Sequence, residues 1–423
     1  MLRSSSALLL ALVATWVSAA PKLQVVPDHD TGVYALGEEA AWLVTATDEG
    51  KPLAGRINYA ILSSGLNRES QGQIELTVDG HAKITAPGRD KPGATIAEVT
   101  YEADGKRISA RGGAAYAPEK IPASAPVPDD FDEFWKAKIA ELDAVPMNVQ
   151  LEKVDIGDPK IEYYKVTLDN IRGSKIYGQL AKPVGDGKFP ALLQVQWAGV
   201  YPLHRDWVVG PARQGRLAFN ITAHDLPIDE KEEFYKEKAG KELNDYPGQG
   251  NDDREQSYFL RMFLSCRRAV DYLTQRDDWN KKSLLVTGGS QGGYQAIVTA
   301  GLHPAVTAFA ANVPAGCDHT GKAVGRAPGW PNWAGRTWQG KDEKKMLHAA
   351  RYFDAMNFAT RVKCPGLIGV GLVDPVCPVE GVLATCNQLQ GPRKVVLMPQ
   401  ADHGQDHKAY YAVFGKFLDE HLK

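Results

Sequence analysis

Cysteine, charge of one sign and long apolar runs are all scarce in this chain, and each scarcity closes off a class of protein. The 423 residues include five cysteines, Cys266, Cys317, Cys364, Cys377 and Cys386. An odd number, without zinc-ligand spacing, provides neither a disulfide framework nor a metal site. Buried, inert thiols are expected, and no bridge, Cys377 to Cys386 included, can be assigned from spacing. The 49 basic residues nearly balance the 51 acidic ones, so there is no electrostatic footprint for nucleic acid or an anionic membrane. Phosphate-binding loops are missing as well, because "GGSQGG" lacks both the dinucleotide pattern and the lysine of a P-loop. Neither cofactor nor metal is expected.

The one pronounced apolar run opens the chain. "MLRSSSALLLALVATWVSAAPK" sets Arg3 before an apolar stretch from Ala7 to Trp16 and then small residues up to Ala19, the layout of a secretory leader over residues 1–19. The run is too short to span a bilayer. A secreted or periplasmic protein is therefore expected.

Residues 20–118 read as short alternating segments, among them "AAWLVTAT", "RINYAIL" and "ATIAEVTYEA", separated by Gly, Pro, Asp and Asn. This spacing predicts a small all-β, immunoglobulin-like sandwich, here without cysteine. Residues 119–130 form a proline-rich linker in the extended regime. Behind Asp129 and Asp130 as candidate N-caps, Phe131, Phe134, Trp135, Ile139 and Leu142 recur at helical spacing. From 131 to 423, apolar strands alternate with helices, predicting a doubly wound, mostly parallel α/β sheet.

In that sheet, "LLVTGGSQGG" places Ser290 between Gly288 and Gly292 at a strand-to-helix turn, the pattern of a nucleophile elbow. A serine hydroxyl is a poor nucleophile at neutral pH, so it requires a histidine base and a carboxylate that fixes the base's tautomer. In folds built around such an elbow these partners follow at the ends of later strands, acid before histidine. Asp374 ends "PGLIGVGLVD" and His403 ends "RKVVLMPQADH". His407 is the rival base, but it lies nearer the start of the last helix. The oxyanion donors are expected to be the amides of Gln291 and of Val200 or Tyr201, in the loop "QWAGVYPL".

From Pro128 onward, "PDDFDEFWK", "YFLRMFLSCRRAVDYL", "GGSQGG", "YFDAMNFA" and "GLVDPVCPVEGVLATCNQLQGPRKVVLMP" resemble the acetyl xylan esterase and cephalosporin C deacetylase family, carbohydrate esterase family seven. The resemblance implies an α/β-hydrolase fold, Ser290, Asp374 and His403 as the triad, and Gln291 with the loop at Val200 as the oxyanion hole. This sequence departs from the family in three ways. His224, Asp225 and Leu226 stand where the family carries Arg-Gly-Gln, and Gly404 rather than glutamate follows the histidine. The family is mostly single-domain, cytoplasmic and hexameric, whereas this chain adds an exported β-domain, which leaves its oligomeric state open.

The expected activity is that of a secreted serine esterase removing acetyl groups from xylo-oligosaccharides or related sugars. A peptidase or larger-acyl esterase, or a non-catalytic sugar-binding relative, is the alternative. Trp197 and Tyr201 beside the oxyanion loop, and Trp330, Trp333 and Trp338 in "GRAPGWPNWAGRTWQG", are candidate sugar-stacking residues. His224 and Asp225 are more readily structural replacements than substrate ligands. The charged stretch from Ile228 to Gln256 reads as a solvated insertion, long enough to form a lid or an interface.

Overall fold

The computed structural model describes residues 21–103 and 106–423, so the expected leader lies outside the described residues. The N-terminal part holds β1 (Lys22–Pro27), β2 (Val33–Tyr34), β3 (Ala40–Asp48), β4 (Lys51–Pro52), β5 (Arg56–Ser63), β6 (Asn67–Glu75), β7 (His81–Ala86), β8 (Gly93–Ala103) and β9 (Lys106–Tyr116). Two sheets form, one with β3 pairing β1, β4 and β7, the other in the order β2-β9-β8-β5-β6. Strand alternation sends one face of each sheet inward. Val25, Trp42, Val44, Ile57, Ile61, Ile84, Val99 and Tyr116 fill the space between them.

The remainder runs α1 (Phe131–Asp143), β10 (Gln150–Val154), β11 (Ile161–Asp169), β12 (Lys175–Pro183), β13 (Phe189–Val195), α2 (Asp206–Arg213), β14 (Leu217–Ile221), α3 (Glu232–Gly240), α4 (Tyr258–Gln275), β15 (Trp279–Gly289), α5 (Gln291–Leu302), β16 (Ala308–Asn312), α6 (Glu343–Phe353), α7 (Ala355–Ala359), β17 (Gly366–Gly371), α8 (Val379–Gln388), β18 (Arg393–Met398) and α9 (Lys408–His421). One nine-stranded sheet results, ordered β10-β11-β12-β14-β13-β15-β16-β17-β18. The first three strands and the β12-β14 pair are antiparallel, and every pair from β14 onward is parallel. Strands β14, β16 and β17 are buried along their whole length, as parallel strands covered by helices on both faces must be. No described helix is long and apolar enough to cross a membrane.

Two local features go beyond the sequence reading. The proline-rich stretch is held against the α/β part. Asn387 donates to the carbonyls of Pro118 and Ile121 at 2.9 and 3.0 Å, Arg326 to Pro122 at 2.8 Å and Arg351 to Pro126 at 2.7 Å. Proline offers no N–H but keeps its carbonyl, so donors from the α/β part hold the segment down. Asp130 stands at the N-cap of α1 without a capping bond. Its carboxylate is drawn instead to Tyr352 and Arg254, and these hydrogen bonds hold its pKa below the ordinary value.

The sandwich sits directly on the segments that follow β17 and β18 and lead to Asp374 and His403. The Gly113 N–H in β9 donates to the Pro399 carbonyl at 3.0 Å. A Cβ at Gly113 would lie 2.4 Å from the Leu372 Cβ. Nearby, the buried carboxylate of Glu380 in α8 accepts from the Ala94 amide at 2.6 Å and from Ser64 at 2.8 Å, and lies 3.6 Å from Arg326 and 4.0 Å from Arg89.

Candidate active site

The site is built where β15 turns into α5. Ser290 has φ 54° and ψ −121°, a conformation that costs a non-glycine residue about 1–3 kcal/mol. Its amide donates to the Asn312 carbonyl at 3.0 Å and its own carbonyl accepts from Tyr294 and Ala315, both at 3.0 Å. These bonds hold the strained turn in place. The glycines expected beside it are required by proximity: a Cβ at Gly288 would lie 2.5 Å from the Gly292 backbone, and one at Gly292 would lie 2.7 Å from the Val195 carbonyl.

The three expected partners meet. Ser290 Oγ lies 2.8 Å from His403 Nε2, and His403 Nδ1 lies 2.8 Å from Asp374 Oδ2. The other carboxylate oxygen of Asp374 accepts the amides of Val376 and Cys377, each at 2.8 Å. Asp374 is thereby locked with one oxygen facing the imidazole. With Nδ1–H given to the carboxylate, Nε2 is free to accept the serine proton. His407, the rival, is engaged at both ring nitrogens, with Asn312 at 3.0 Å and the Asp402 carbonyl at 2.8 Å.

Cys377 is the neighbour that sequence spacing missed. Its buried thiol, raised well above its ordinary pKa by burial, stands with Asp374 and His403 so that one ligating atom of each lies within 4.8 Å of the others. This cluster reuses the acid and base already bonded to each other. The five cysteines are free thiols; four are buried and Cys364 is half-buried.

Gln291 opens α5, where the first amides have no intrahelical acceptor. Val200 lies on the loop after β13, behind Gly199 with φ 120°. That loop is tied from below. Gln196 donates to the Tyr201 carbonyl at 3.1 Å and accepts from the Ala223 amide at 2.9 Å, while His224 Nε2 meets the Gly199 carbonyl at 3.1 Å. His224 is only 2% exposed. Burial, with Arg261 nearby, pushes its pKa down to about 4, so it is neutral at ordinary pH. Asp225 beside it is exposed and Leu226 half-buried.

The aromatic candidates divide. Trp197 is 45% exposed and stacks on Tyr201 at 5.3 Å. It also lines a cavity of about 200 Å³ with Thr287, Asn312 and Tyr411. Trp330 is half-buried and donates its amide to the Val376 carbonyl at 2.8 Å, beside the Asp374 loop. Trp333 and Trp338 are corrected to core residues. Trp333 is 1% exposed, gives its indole N–H to Pro247 and stacks on His319. Trp338 is 9% exposed, with the Arg336 guanidinium 3.6 Å over its ring and Gly248 against its edge. Neither ring offers a face to a sugar.

The charged insertion also does two things at once. Along α3 and just beyond it, Lys236–Glu232, Lys238–Glu242 and Lys241–Glu237 pair one turn apart, as a solvated helix does. Its far end plants Tyr246 in the core, where the hydroxyl donates to the Gln291 side chain. In the sequence Tyr246 is one of three aromatics amid these charges, with Phe234 and Tyr235, and nothing local sets it apart.

Comparison with known proteins agrees with this architecture. The family profile for acetyl xylan esterases matches residues 119–421. An acetyl esterase of Xylanibacter ruminicola is 32% identical over 393 residues, covering 91% of this chain and 88% of its own. Acetyl xylan esterases from a Paenibacillus and a Thermoanaerobacterium species superpose with TM-scores of 0.63 and 0.60 at 23% and 21% identity. Each match covers 72% of this chain, and 98% and 96% of the respective relatives, so both share the α/β fold. From the profile match and the relative spanning most of its length, this chain is a member of the acetyl xylan esterase family and a carboxylic ester hydrolase.

Proposed function

We propose that the protein is an exported serine deacetylase that removes acetyl groups from xylo-oligosaccharides or related acetylated sugars. The observation that carries this reading is the continuous hydrogen-bonded chain from Ser290 through His403 to Asp374, at a strained elbow, in a member of this family. Ser290 Oγ attacks the acetyl carbonyl as His403 Nε2 takes its proton, and Asp374 stabilises the imidazolium. The amides of Gln291 and Val200 receive the oxyanion. His403 then returns the proton to the sugar oxygen, which leaves, and water attacks the acetyl-enzyme by the same base. Trp197, Tyr201 and Trp330 form the wall available to the sugar. The relative from Xylanibacter ruminicola is named an acetyl esterase, and the leader-like residues 1–19 support export.

The test supplies purified protein with p-nitrophenyl acetate, a longer acyl ester, a peptide and acetylated xylo-oligosaccharides, beside Ser290→Ala. Acetate release that the variant loses, with weak turnover of the longer ester and none of the peptide, is expected. Preference for the longer ester or the peptide overturns the deacetylase reading. Sugar binding without any turnover overturns catalysis itself.

A further inference from the structure

We propose that His224 is the positioning residue of the oxyanion hole, holding the Gly199 carbonyl inward so that the Val200 amide points at the reacting ester. This rests on the serine-esterase reading of the same site.

A trans peptide is planar, with its C=O and the following N–H pointing in opposite directions. Whatever grips the Gly199 oxygen therefore aims the Val200 hydrogen. The grip is His224 Nε2, 3.1 Å from that oxygen, and a carbonyl can only accept, so Nε2 carries the proton. The other ring nitrogen is fixed by a directional relay. Arg261 can only donate, and its Nη2 lies 2.8 Å from the Tyr258 hydroxyl and 2.8 Å from the Ala223 carbonyl. Tyr258 Oη, so occupied as an acceptor, gives its own hydrogen to His224 Nδ1 at 2.7 Å. Arginine, tyrosine and imidazole thus select one tautomer and aim its remaining N–H at one carbonyl.

The same cluster reaches the second donor. Tyr246 packs edge-on against the His224 ring at 4.8 Å and 79° and donates to the Gln291 side chain. The residues carrying both oxyanion amides are therefore braced by one buried group of His224, Tyr246 and Gln291. Gly199 makes the arrangement feasible, because its φ of 120° is one that side-chain-bearing residues rarely adopt. Neutrality of the imidazole suits the task, since burial keeps it uncharged down to acid pH.

The experiment compares wild type, His224→Leu, His224→Gln and Tyr258→Phe on p-nitrophenyl acetate, with thermal unfolding of each and a crystal structure of His224→Leu. Loss of a single oxyanion donor lowers kcat by about 10²–10³-fold. A misaimed amide is accordingly expected to lower kcat in His224→Leu by about 30- to 100-fold with KM within about 3-fold. Glutamine, which carries an N–H donor and an acceptor, should restore kcat to within about 10-fold of wild type. If the leucine variant does not fold, Tyr258→Phe carries the test, with kcat about 10-fold down at unchanged KM. Wild-type kcat in folded His224→Leu or in Tyr258→Phe, or glutamine no better than leucine, overturns the proposal. If the wild type turns over no ester at all, the esterase reading fails first. The crystal structure then decides the geometric claim, and an unmoved Gly199–Val200 peptide in His224→Leu overturns it.

Discussion

Replacing Gly113 with alanine should slow the enzyme from outside its catalytic sheet. The added Cβ would stand 2.4 Å from the Leu372 Cβ and 2.9 Å from its carbonyl oxygen, where carbon atoms normally keep about 3.5–4.0 Å. The two surfaces must part by roughly 1 Å. Leu372 cannot yield alone. It is buried, its amide is bonded to the Met398 carbonyl at 3.0 Å, and it precedes Asp374 by two residues. The opposing surface is anchored too, by the Gly113 bond to Pro399 and by the Glu380 cluster. If the strand end gives way, the 2.8 Å contact between Asp374 and His403 lengthens beyond hydrogen-bond range.

A misplacement of that size costs about 10²-fold in rate, and overpacking of a tight contact costs about 1–3 kcal/mol of stability. Gly113→Ala is therefore expected to lose about 10- to 100-fold in kcat on p-nitrophenyl acetate and several degrees in Tm. Steady-state kinetics and calorimetry on the full chain read both. A lowered Tm with wild-type kcat would mean that the sandwich moves and Asp374 does not, which refutes the coupling. No change in either refutes the contact.

Three further outcomes are expected. His403→Ala should abolish ester turnover whereas His407→Ala should retain it, and the reverse result would transfer the role of base to His407. His319 is buried, 5% exposed, and its pKa is pushed down to about 3 by desolvation. A depressed histidine contributes stability that is complete above its unfolded value of about 6.5 and is lost as pH falls toward the folded value, so between pH 7 and 5 the wild type should lose about 2 kcal/mol more than His319→Gln in urea unfolding. Equal losses in the two proteins would sink that assignment. Gly415, inside α9, has nothing within 4 Å of where its Cβ would stand, so Gly415→Ala should stabilise by about 0.5–1 kcal/mol, seen as a raised urea midpoint.

The parts of this protein that could be read in advance are those where one residue's role follows from its place along a strand or helix. Ser290, Asp374 and His403 each lie within five residues past the end of a parallel strand, β15, β17 and β18 respectively, and parallel strands deliver their carboxyl ends to a common edge. Three chain positions therefore implied one point in space. The tryptophans of 330–338 carried no such constraint: a Trp reads the same in sequence whether its ring faces a sugar or, as with Trp333 over His319, the core. The contacts of the proline-rich stretch were hidden for a related reason. Proline content reports what the backbone can do, while the donors that pin it, Arg326, Arg351 and Asn387, come from more than 200 residues later. Support for the oxyanion loop was equally hidden, because Gly199, His224, Tyr246, Tyr258 and Arg261 meet only after β13 and β14 pair and α4 packs against them. Local sequence thus identifies the hydroxyl, imidazole and carboxylate that meet. The groups that brace their surroundings, His224 and Tyr258 among them, are brought together by the tertiary fold.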